Sequence, residues 1–326
     1  MARWPCDEGQ SPLTIKAELQ RWAKKADTVQ TFRDIRHQLL ADVRREAKAS
    51  SRSKPRPKKP IGKRRYLYEI APVDLHVGKY AWGEETGADY DIRIAEQVFT
   101  DAMDDLLERA RHLPIELIAF IVGNDLLQTD TTIGTTTKGT FVDTDSRIKK
   151  SFRRARAINS WAIRECAKIA PVRVVIVPGN HDELMAFCIG EVLAAEFAKD
   201  RRVTFDDSVK PRKYLRYGTT LLGWMHGDNE KAADLPLIMA TECKKDWAAT
   251  TQREIHTAHF HKAKETRYTA GDSFNGVRVR ILPSLCTADA WHSKMGYVGE
   301  QRACEAYLWD KAHGYAGHFS SNVDAR

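Results

Sequence analysis

Short apolar runs that alternate with longer helical stretches dominate the chain between residues 66 and 282. Each run is long enough for one buried strand, and each helical stretch carries apolar residues at a spacing of three and four. This alternation is typical of an α/β fold. The last strands follow one another with fewer helices, so we expect part of the sheet to be antiparallel. The predicted strands are 66–73, 117–122, 172–177, 221–225, 254–258 and 277–282, and the predicted helices are 92–111, 148–170 and 183–197.

A polar cluster follows each of five predicted strands. Ligands of α/β sheets bind at the carboxyl ends of the strands, so we expect these clusters to meet on one rim. The clusters are Asp74-Leu75-His76, Gly123-Asn124-Asp125, Gly179-Asn180-His181-Asp182, His226-Gly227-Asp228 and His259-Phe260-His261.

The residue types in these clusters suit a pair of divalent metal ions. Carboxylate oxygens and imidazole nitrogens bind Mn, Fe and Zn, and the clusters contain no thiolate. Residues i and i+2 of an extended segment point the same way, which explains the spacing in Asp-x-His and His-x-His. Two ions about 3.5–4 Å apart clamp a phosphate and activate water. Each motif alone is common in structural positions, but the ordered set indicates a two-metal site.

The ordered motif set resembles the calcineurin-like metallophosphoesterase superfamily over about residues 66–285. The resemblance implies an αββα sandwich of two mixed sheets flanked by helices. It also implies two divalent ions, with Mn²⁺ expected and Fe, Zn or Mg as alternatives. By motif, the resemblance implies that one ion is held by Asp74, His76 and His261, and the other by Asn180, His226 and His259. It implies that Asp125 bridges the two ions. It also implies that His181 is the acid that protonates the leaving oxygen, oriented by a nearby acid such as Asp182.

Two departures from the family pattern concern the second and fifth motifs. Asn124 stands between the expected glycine and aspartate, and we align Asp125 with the bridge because a bridge needs a carboxylate. Ala258 replaces a glycine before His259. The arginine that protein phosphatases carry after the second motif is absent from GNDLLQTD. That run and the threonine-rich loop 131–140 are most similar to virus-borne and bacterial members that resemble DNA-repair exonucleases.

Three functions are compatible with this pattern. We favour a metal-dependent nuclease that cleaves phosphodiester bonds of DNA, as an exonuclease or an endonuclease. The alternative within enzymes is a phosphatase or phosphodiesterase that acts on small molecules. A nucleic-acid-binding module with an inactive phosphoesterase domain is disfavoured, because the chain retains all seven predicted ligands and His181.

The positive charge of the chain is concentrated in one segment. The net charge is +8, and residues 44–65 contain eleven Lys and Arg against one acid, which leaves −2 for all other residues. Residues 1–49 are predicted to be helical, 50–65 to be a basic flexible linker rich in Ser and Pro, and 66–326 to be the phosphoesterase domain. We expect the basic arm 44–65 either to bind nucleic acid or to act as a solvated spacer. The helices before it are a candidate site for a partner protein.

Two further groups of residues are candidates for contact with nucleic acid. A solvated helix face and a core-packed terminal segment are the respective alternatives. The groups are the basic side chains Arg147, Lys149, Lys150, Arg153 and Arg154, and the aromatic side chains Trp291, Tyr297, Tyr307, Trp309, Tyr315 and Phe319.

The remaining composition bears on the cellular compartment. No apolar run has the length of roughly 18 residues that a membrane span needs, and no secretory signal is recognisable at the N-terminus. The six cysteines are scattered and form no CxxC pair. We therefore expect a cytoplasmic protein, in the host cytoplasm if virus-borne, without a membrane partner.

Overall fold

The computed structural model describes residues 65–260, 272–274 and 276–323. The predicted N-terminal helical segment, nearly all of the predicted basic linker, and the predicted ligand His261 lie outside the described residues. The other six predicted ligands and His181 lie within them.

Two mixed sheets form the centre of the fold. The first sheet has the order β11-β10-β1-β2-β3-β4, and the second has the order β5-β6-β7-β9-β8. Strand β1 pairs in parallel with β2 and antiparallel with β10, while β7 is parallel to both of its neighbours and β5 and β8 are antiparallel to theirs. The strands are β1 (Tyr66–Ala71), β2 (Ile115–Gly123), β3 (Val172–Val177), β4 (Val203–Asp206), β5 (Lys213–Tyr217), β6 (Thr220–Trp224), β7 (Gln252–Thr257), β8 (Asp272–Phe274), β9 (Val277–Ile281), β10 (Ala303–Asp310) and β11 (Gly314–Asn322).

Helices cover the outer faces of both sheets. The three long helices α2, α3 and α4 pack on the first sheet, and α5 packs on the second through Leu235 and Met239. The predicted αββα sandwich of two mixed sheets is therefore confirmed. The helices are α1 (Gly83–Thr86), α2 (Ile92–Ala110), α3 (Ile148–Ile169), α4 (Glu183–Phe197), α5 (Leu235–Glu242), α6 (Lys244–Ala248) and α7 (Ala290–Lys294).

Local sequence explains where the long helices begin and which face they bury. The carboxylate of Asp91 caps α2 by accepting hydrogen bonds from the backbone N–H groups of Arg93 (2.7 Å) and Ile94 (2.8 Å). Phe99, Met103 and Leu106 recur at helical spacing and are buried against the sheet. No helix among the described residues is long and apolar enough to cross a membrane.

The apolar interface between the sheets contains a polar network centred on Glu69. The Glu69 carboxylate, on β1, accepts hydrogen bonds from the indole N–H of Trp224 (2.5 Å) and of Trp309 (2.9 Å) and pairs with His256 Nδ1 (2.6 Å). Glu69 and Trp309 belong to the first sheet, whereas Trp224 and His256 belong to the second. His256 also contacts Glu254 through Nε2 (3.1 Å), and all these side chains are buried. The network therefore joins the two sheets.

The charge state of His256 follows from this environment. Burial alone would lower its pKa, but the carboxylates of Glu69 and Glu254 outweigh burial and raise the pKa to about 9. His256 is thus a buried imidazolium held between two carboxylates.

The C-terminal part of the chain was the least predictable region. Residues 303–322 form the hairpin β10–β11, which pairs with β1 and extends the first sheet. Tyr307 and Trp309 are buried in the inter-sheet core, so packing is confirmed as their role. Trp291, in contrast, is 58% exposed.

Candidate metal centre

The six predicted ligands among the described residues lie in the loops that follow β1, β2, β3, β6 and β7. Backbone hydrogen bonds tie three of these loops together, from Asp74 N to Asn124 O (3.0 Å), from His76 N to Asp125 O (3.0 Å) and from Asn124 N to Val177 O (2.6 Å). The parallel strands therefore deliver their polar ends to a common rim, as the sequence predicted.

Backbone strain is concentrated at this rim. Among the described residues, all five non-glycine residues with positive φ lie in the polar clusters. Non-glycine side chains rarely adopt this conformation, and it persists where the surroundings enforce it, commonly at functional sites. The five are Asp74 (49°), His76 (47°), Asn124 (55°), Asp125 (62°) and His259 (67°).

Asp125 occupies the centre of the site. One carboxylate oxygen accepts a hydrogen bond from the backbone N–H of His181 (2.8 Å). A Cβ on Gly179 would collide with the same carboxylate, so a glycine is required there. The other oxygen, Oδ2, lies 3.1 Å from His226 Nε2 and 3.8 Å from His76 Nε2. Asp125 is therefore the residue that both groups of ligand atoms share.

The first group of ligand atoms surrounds His226 Nε2. Asn180 Oδ1 lies 2.7 Å from this nitrogen, and His259 Nδ1 lies 3.1 Å from it. Asp125, His226 and His259 have ligand atoms within 4.8 Å of one another. Two ligands bonded to one ion at about 2.1 Å are at most about 4.2 Å apart, and the separations of 2.7 Å and 3.1 Å from His226 Nε2 lie below that limit.

The chemistry of the donor set also fits a cation. Atoms with lone pairs converge on His226 Nε2 from Asp125, Asn180 and His259. One proton on Nε2 can be shared well with only one of them, whereas a divalent ion satisfies all four atoms. Without an ion, the site holds a proton instead: burial would lower the pKa of His226, but the Asp125 carboxylate raises it to about 9. Burial would raise the pKa of Asp125, and the neighbouring histidines, His226 first, hold it well below its ordinary range.

Asn124 has a role that its sequence position did not reveal. Its Oδ1 lies 2.8 Å from His226 Nδ1 and accepts a hydrogen bond from it. That bond fixes the proton on Nδ1 and directs the lone pair of Nε2 towards the ligand cluster, as outer partners of metal-binding histidines generally do. Asn124 therefore positions a ligand, and the alignment of Asp125 with the bridge is consistent with the geometry.

The second group of ligand atoms surrounds His76. Its Nε2 lies 3.8 Å from Asp74 Oδ1 and the same distance from Asp125 Oδ2, too far for hydrogen bonds but suitable for a shared ion. His181 belongs to this group as well, because His76, Asp125 and His181 have ligand atoms within 4.8 Å of one another. The two imidazole rings of His76 and His181 meet edge to face at 4.7 Å. The predicted fellow ligand His261 lies outside the described residues.

Asp182 does not orient His181, contrary to the predicted pairing. Its carboxylate is fully buried and accepts hydrogen bonds from the backbone N–H groups of Leu127 (3.0 Å) and Gly179 (3.1 Å). Burial raises its pKa to about 8. The ring of His181 donates instead from Nδ1 to the backbone carbonyl of Gln128 (2.9 Å). Asp182 therefore holds two loops together, and the main chain of Gln128 orients the imidazole.

The threonine-rich loop 131–140 supports the site from the side. Thr137 donates its hydroxyl to Asp130 (2.9 Å), and its backbone N–H donates to Asn180 O (3.2 Å). Asp130 in turn accepts from the backbone N–H groups of Leu184 and Met185 at the start of α4. The Thr137 hydroxyl is therefore used within the protein, and the loop braces the segment that carries Asn180 and His181.

No protein-family model matches the chain, and no curated protein matches its sequence. Among solved structures, the crystal structure of Chaetomium thermophilum Vps29 matches with 9% sequence identity and a TM-score of 0.28. The match covers 79% of this chain and 96% of the Vps29 chain. The chemistry of this protein is therefore inferred from its own residues.

Proposed function

We propose that this chain is a metal-dependent phosphoester hydrolase that cleaves phosphodiester bonds of nucleic acid, most specifically DNA. The observation that supports the hydrolase is the pair of ligand groups that share Asp125. Two divalent ions bound there, of which Mn²⁺ is our choice, would polarise the phosphate and supply the nucleophile from water. A cytoplasmic location belongs to the same proposal.

The protein's own residues divide the remaining work. The ions would be held by the shared carboxylate of Asp125 together with Asp74, His76, Asn180, His226, His259 and His261. The Gln128 carbonyl keeps a hydrogen on His181 Nδ1, which leaves Nε2 to carry the proton that the leaving oxygen needs. We therefore assign His181 as the general acid.

The evidence for nucleic acid as substrate is the distribution of positive charge. Arg147, Lys149 and Lys150 are exposed at the start of α3, and the basic arm 44–65 carries +10. Arg154 is engaged with Glu96 (2.8 Å) and contributes less free charge. A small phosphoester does not need many cations outside the metal centre for binding, whereas a nucleic-acid backbone with its many phosphates does.

A direct assay tests the proposed function. Purified full-length protein with Mn²⁺ is offered single-stranded DNA, duplex DNA, bis(p-nitrophenyl) phosphate and p-nitrophenyl phosphate. We expect cleavage of DNA and of the diester. Hydrolysis of p-nitrophenyl phosphate alone would favour the small-molecule alternative, and no hydrolysis of any substrate would favour the inactive binding module.

The assignment of His181 predicts a separable effect on turnover. His181→Asn should lower kcat by about 10²–10⁴, the usual contribution of a general acid, with metal content near that of the wild type. Metal analysis of the purified variant is the deciding measurement, because His181 lies within ligand distance of His76 and Asp125. Loss of an ion from the variant would make His181 a ligand instead.

The basic arm predicts a salt-dependent contribution to binding. Changing Lys54, Arg56, Lys58 and Lys59 to Glu should weaken DNA binding and flatten its salt dependence, because each neutralised phosphate contributes about 0.9 to the slope on duplex DNA. Affinity measured across a series of salt concentrations checks this. Hydrolysis of bis(p-nitrophenyl) phosphate by the same variant is the control, since the arm precedes every predicted ligand in the chain. An unaltered affinity and slope would show that the arm is a spacer.

A further inference from the structure

Exposed aromatic side chains are concentrated around the metal centre. Among the described residues, seven Phe, Tyr or Trp side chains are more than a third exposed, and six of them lie in segments that follow the ligand loops or contact them. The seventh, Tyr315, lies at the opposite edge, because it pairs with Trp309 beside the start of β1. We call these six side chains the aromatic rim: Tyr80, Trp82, Phe141, Phe187, Phe260 and Trp291.

Contacts with the ligand loops fix the place of the rim. The ring of Phe260 packs edge to face on the ligand His259 at 5.3 Å. Trp82 immediately precedes α1, and Trp291 lies in α7; the two short helices touch where Ser293 Oγ donates to Glu85 O (3.1 Å). The segment before α7 is itself joined to a ligand, since Cys286 N donates to Asp74 O (3.1 Å). Two tryptophans therefore lie on neighbouring segments that adjoin the metal centre.

Positive charge accompanies these aromatic side chains. The backbone N–H of Asp145 donates to Gly78 O (3.1 Å), and a Cβ on Gly78 would collide with the hydroxyl of Ser151. The first turn of α3, with exposed Arg147 and Lys150, therefore adjoins the segment between His76 and Tyr80. The surface next to the metal centre thus combines exposed aromatic faces with cations.

Folding does not account for this distribution. The exposed parts of these Trp and Phe side chains add nothing to the core, and clustered exposed apolar surface generally marks an interaction site. Aromatic faces beside cations complement one chemistry in particular, bases that carry phosphates, because every base has a face to stack and every phosphate has a charge to pair.

We propose that the aromatic rim binds unpaired bases of single-stranded nucleic acid and guides the strand to the metal centre. This inference rests on the proposed phosphodiesterase function and adds the state of the substrate. Bases inside a duplex are already stacked on one another and offer no free face, so the rim selects single strands and unpaired ends over intact duplex. The cations of α3 bind the backbone phosphates.

The test separates base stacking from charge. Full-length protein in EDTA, where hydrolysis is absent, is titrated into a labelled oligothymidylate of about 12 nucleotides, within the range of single-strand site sizes, and into an abasic strand of equal length and charge. The wild type should bind the strand with bases more tightly. Trp82→Ala and Trp291→Ala should each weaken that binding by about 5- to 150-fold, the range for one stacked base, with little effect on the abasic strand.

Two further variants test whether a loss of binding is specific to the stacking face of a rim tryptophan. Trp82→Phe retains a stacking face and should recover most of the affinity, and Tyr315→Ala removes an exposed aromatic at the far edge and should bind like the wild type. Equal affinity of the wild type for both strands, or equal weakening of both by the tryptophan variants, would overturn the inference. Hydrolysis of bis(p-nitrophenyl) phosphate by the wild type with Mn²⁺ tests the proposed function independently, because that diester has no base and the binding assay needs no metal.

Discussion

Asp125→Asn is expected to abolish both the binding of the two metal ions and hydrolysis. The amide retains an oxygen to accept from His181 N–H, so the loop should keep its conformation. The substitution also removes the negative charge of the carboxylate. With the remaining oxygen on His181 N–H, an NH2 group replaces Oδ2, the atom that faces both His76 and His226. Several kcal/mol of charge stabilisation would be lost, and each 1.36 kcal/mol is tenfold in rate, so we expect a fall of about 10³-fold or more. Calorimetric titration with Mn²⁺ and the diester assay measure the two effects.

The neighbouring residue provides the matched control. Asn124→Ala retains every ligand atom and removes the hydrogen bond on His226 Nδ1. Because Asn124 has a positive φ of 55°, which Asn tolerates better than Ala, the substitution also adds some backbone strain. Loss of such an outer partner typically lowers metal affinity by about 10–100-fold, so this variant should recover activity at high Mn²⁺ whereas Asp125→Asn should not. Full activity of Asp125→Asn combined with a dead Asn124→Ala would mean that the shared carboxylate is misassigned by one residue.

The fold was predictable where the sequence pattern is strong. The six predicted strands and three predicted helices occur within two residues of their expected ends. Two of the missed strands have weak patterns: β5 (Lys213–Tyr217) mixes Lys and Arg with aromatic residues, and β11 (Gly314–Asn322) contains two glycines and no apolar run. Strand β11 owes its conformation to pairing along the whole length of β10, a long-range contact that local propensity does not contain.

The metal centre was predictable in composition but not in its supporting contacts. Ends of parallel strands converge in any α/β fold, so residue types at those ends predicted Asp74, His76, Asn180 and the other proposed ligands as a group, and the structure brings together the six of them that it describes. The hydrogen-bond partner of His181 depends on how the loop after β3 packs on the loop after β2. Adjacency in the sequence favoured Asp182, whereas the structure places the backbone carbonyl of Gln128 against the ring. The contact of Asn124 with His226 Nδ1 joins residues 102 positions apart, and the sequence contains no signal for it.

Glu69 and His256 show what a strand pattern does not reveal. Each is a polar residue inside a predicted strand, a position from which such a residue ordinarily faces solvent. Both are buried, because β1 and β7 lie in the middle of their sheets, with a facing sheet on one side and helices on the other. The polar side chains point inward because they satisfy each other across the sheets.

Glu69→Leu is expected to destabilise the fold by about 3–5 kcal/mol, the typical cost of breaking a buried ion pair by removing one partner. The substitution removes the hydrogen-bond acceptor of the buried indole N–H groups of Trp224 and Trp309. It also leaves Glu254 as the remaining carboxylate beside His256. Loss of the Glu69 charge should also lower the pKa of His256, because that carboxylate raises it. Urea unfolding of the full-length protein, with the slope m compared between variants, measures the loss of stability.

Two companion variants make this last prediction specific to the bonds between the sheets. Glu69→Gln keeps an oxygen that accepts from one indole but removes the charge, so its unfolding free energy should lie between those of the wild type and Glu69→Leu. Glu191→Leu replaces an exposed glutamate on α4 with the same side chain and should change stability by no more than about 0.5 kcal/mol. If Glu69→Leu unfolds at the same urea concentration as Glu191→Leu, apolar packing alone joins the sheets and the buried network is dispensable for stability. If the ordering is as expected, the sheets that carry the two halves of the metal centre are joined through Glu69.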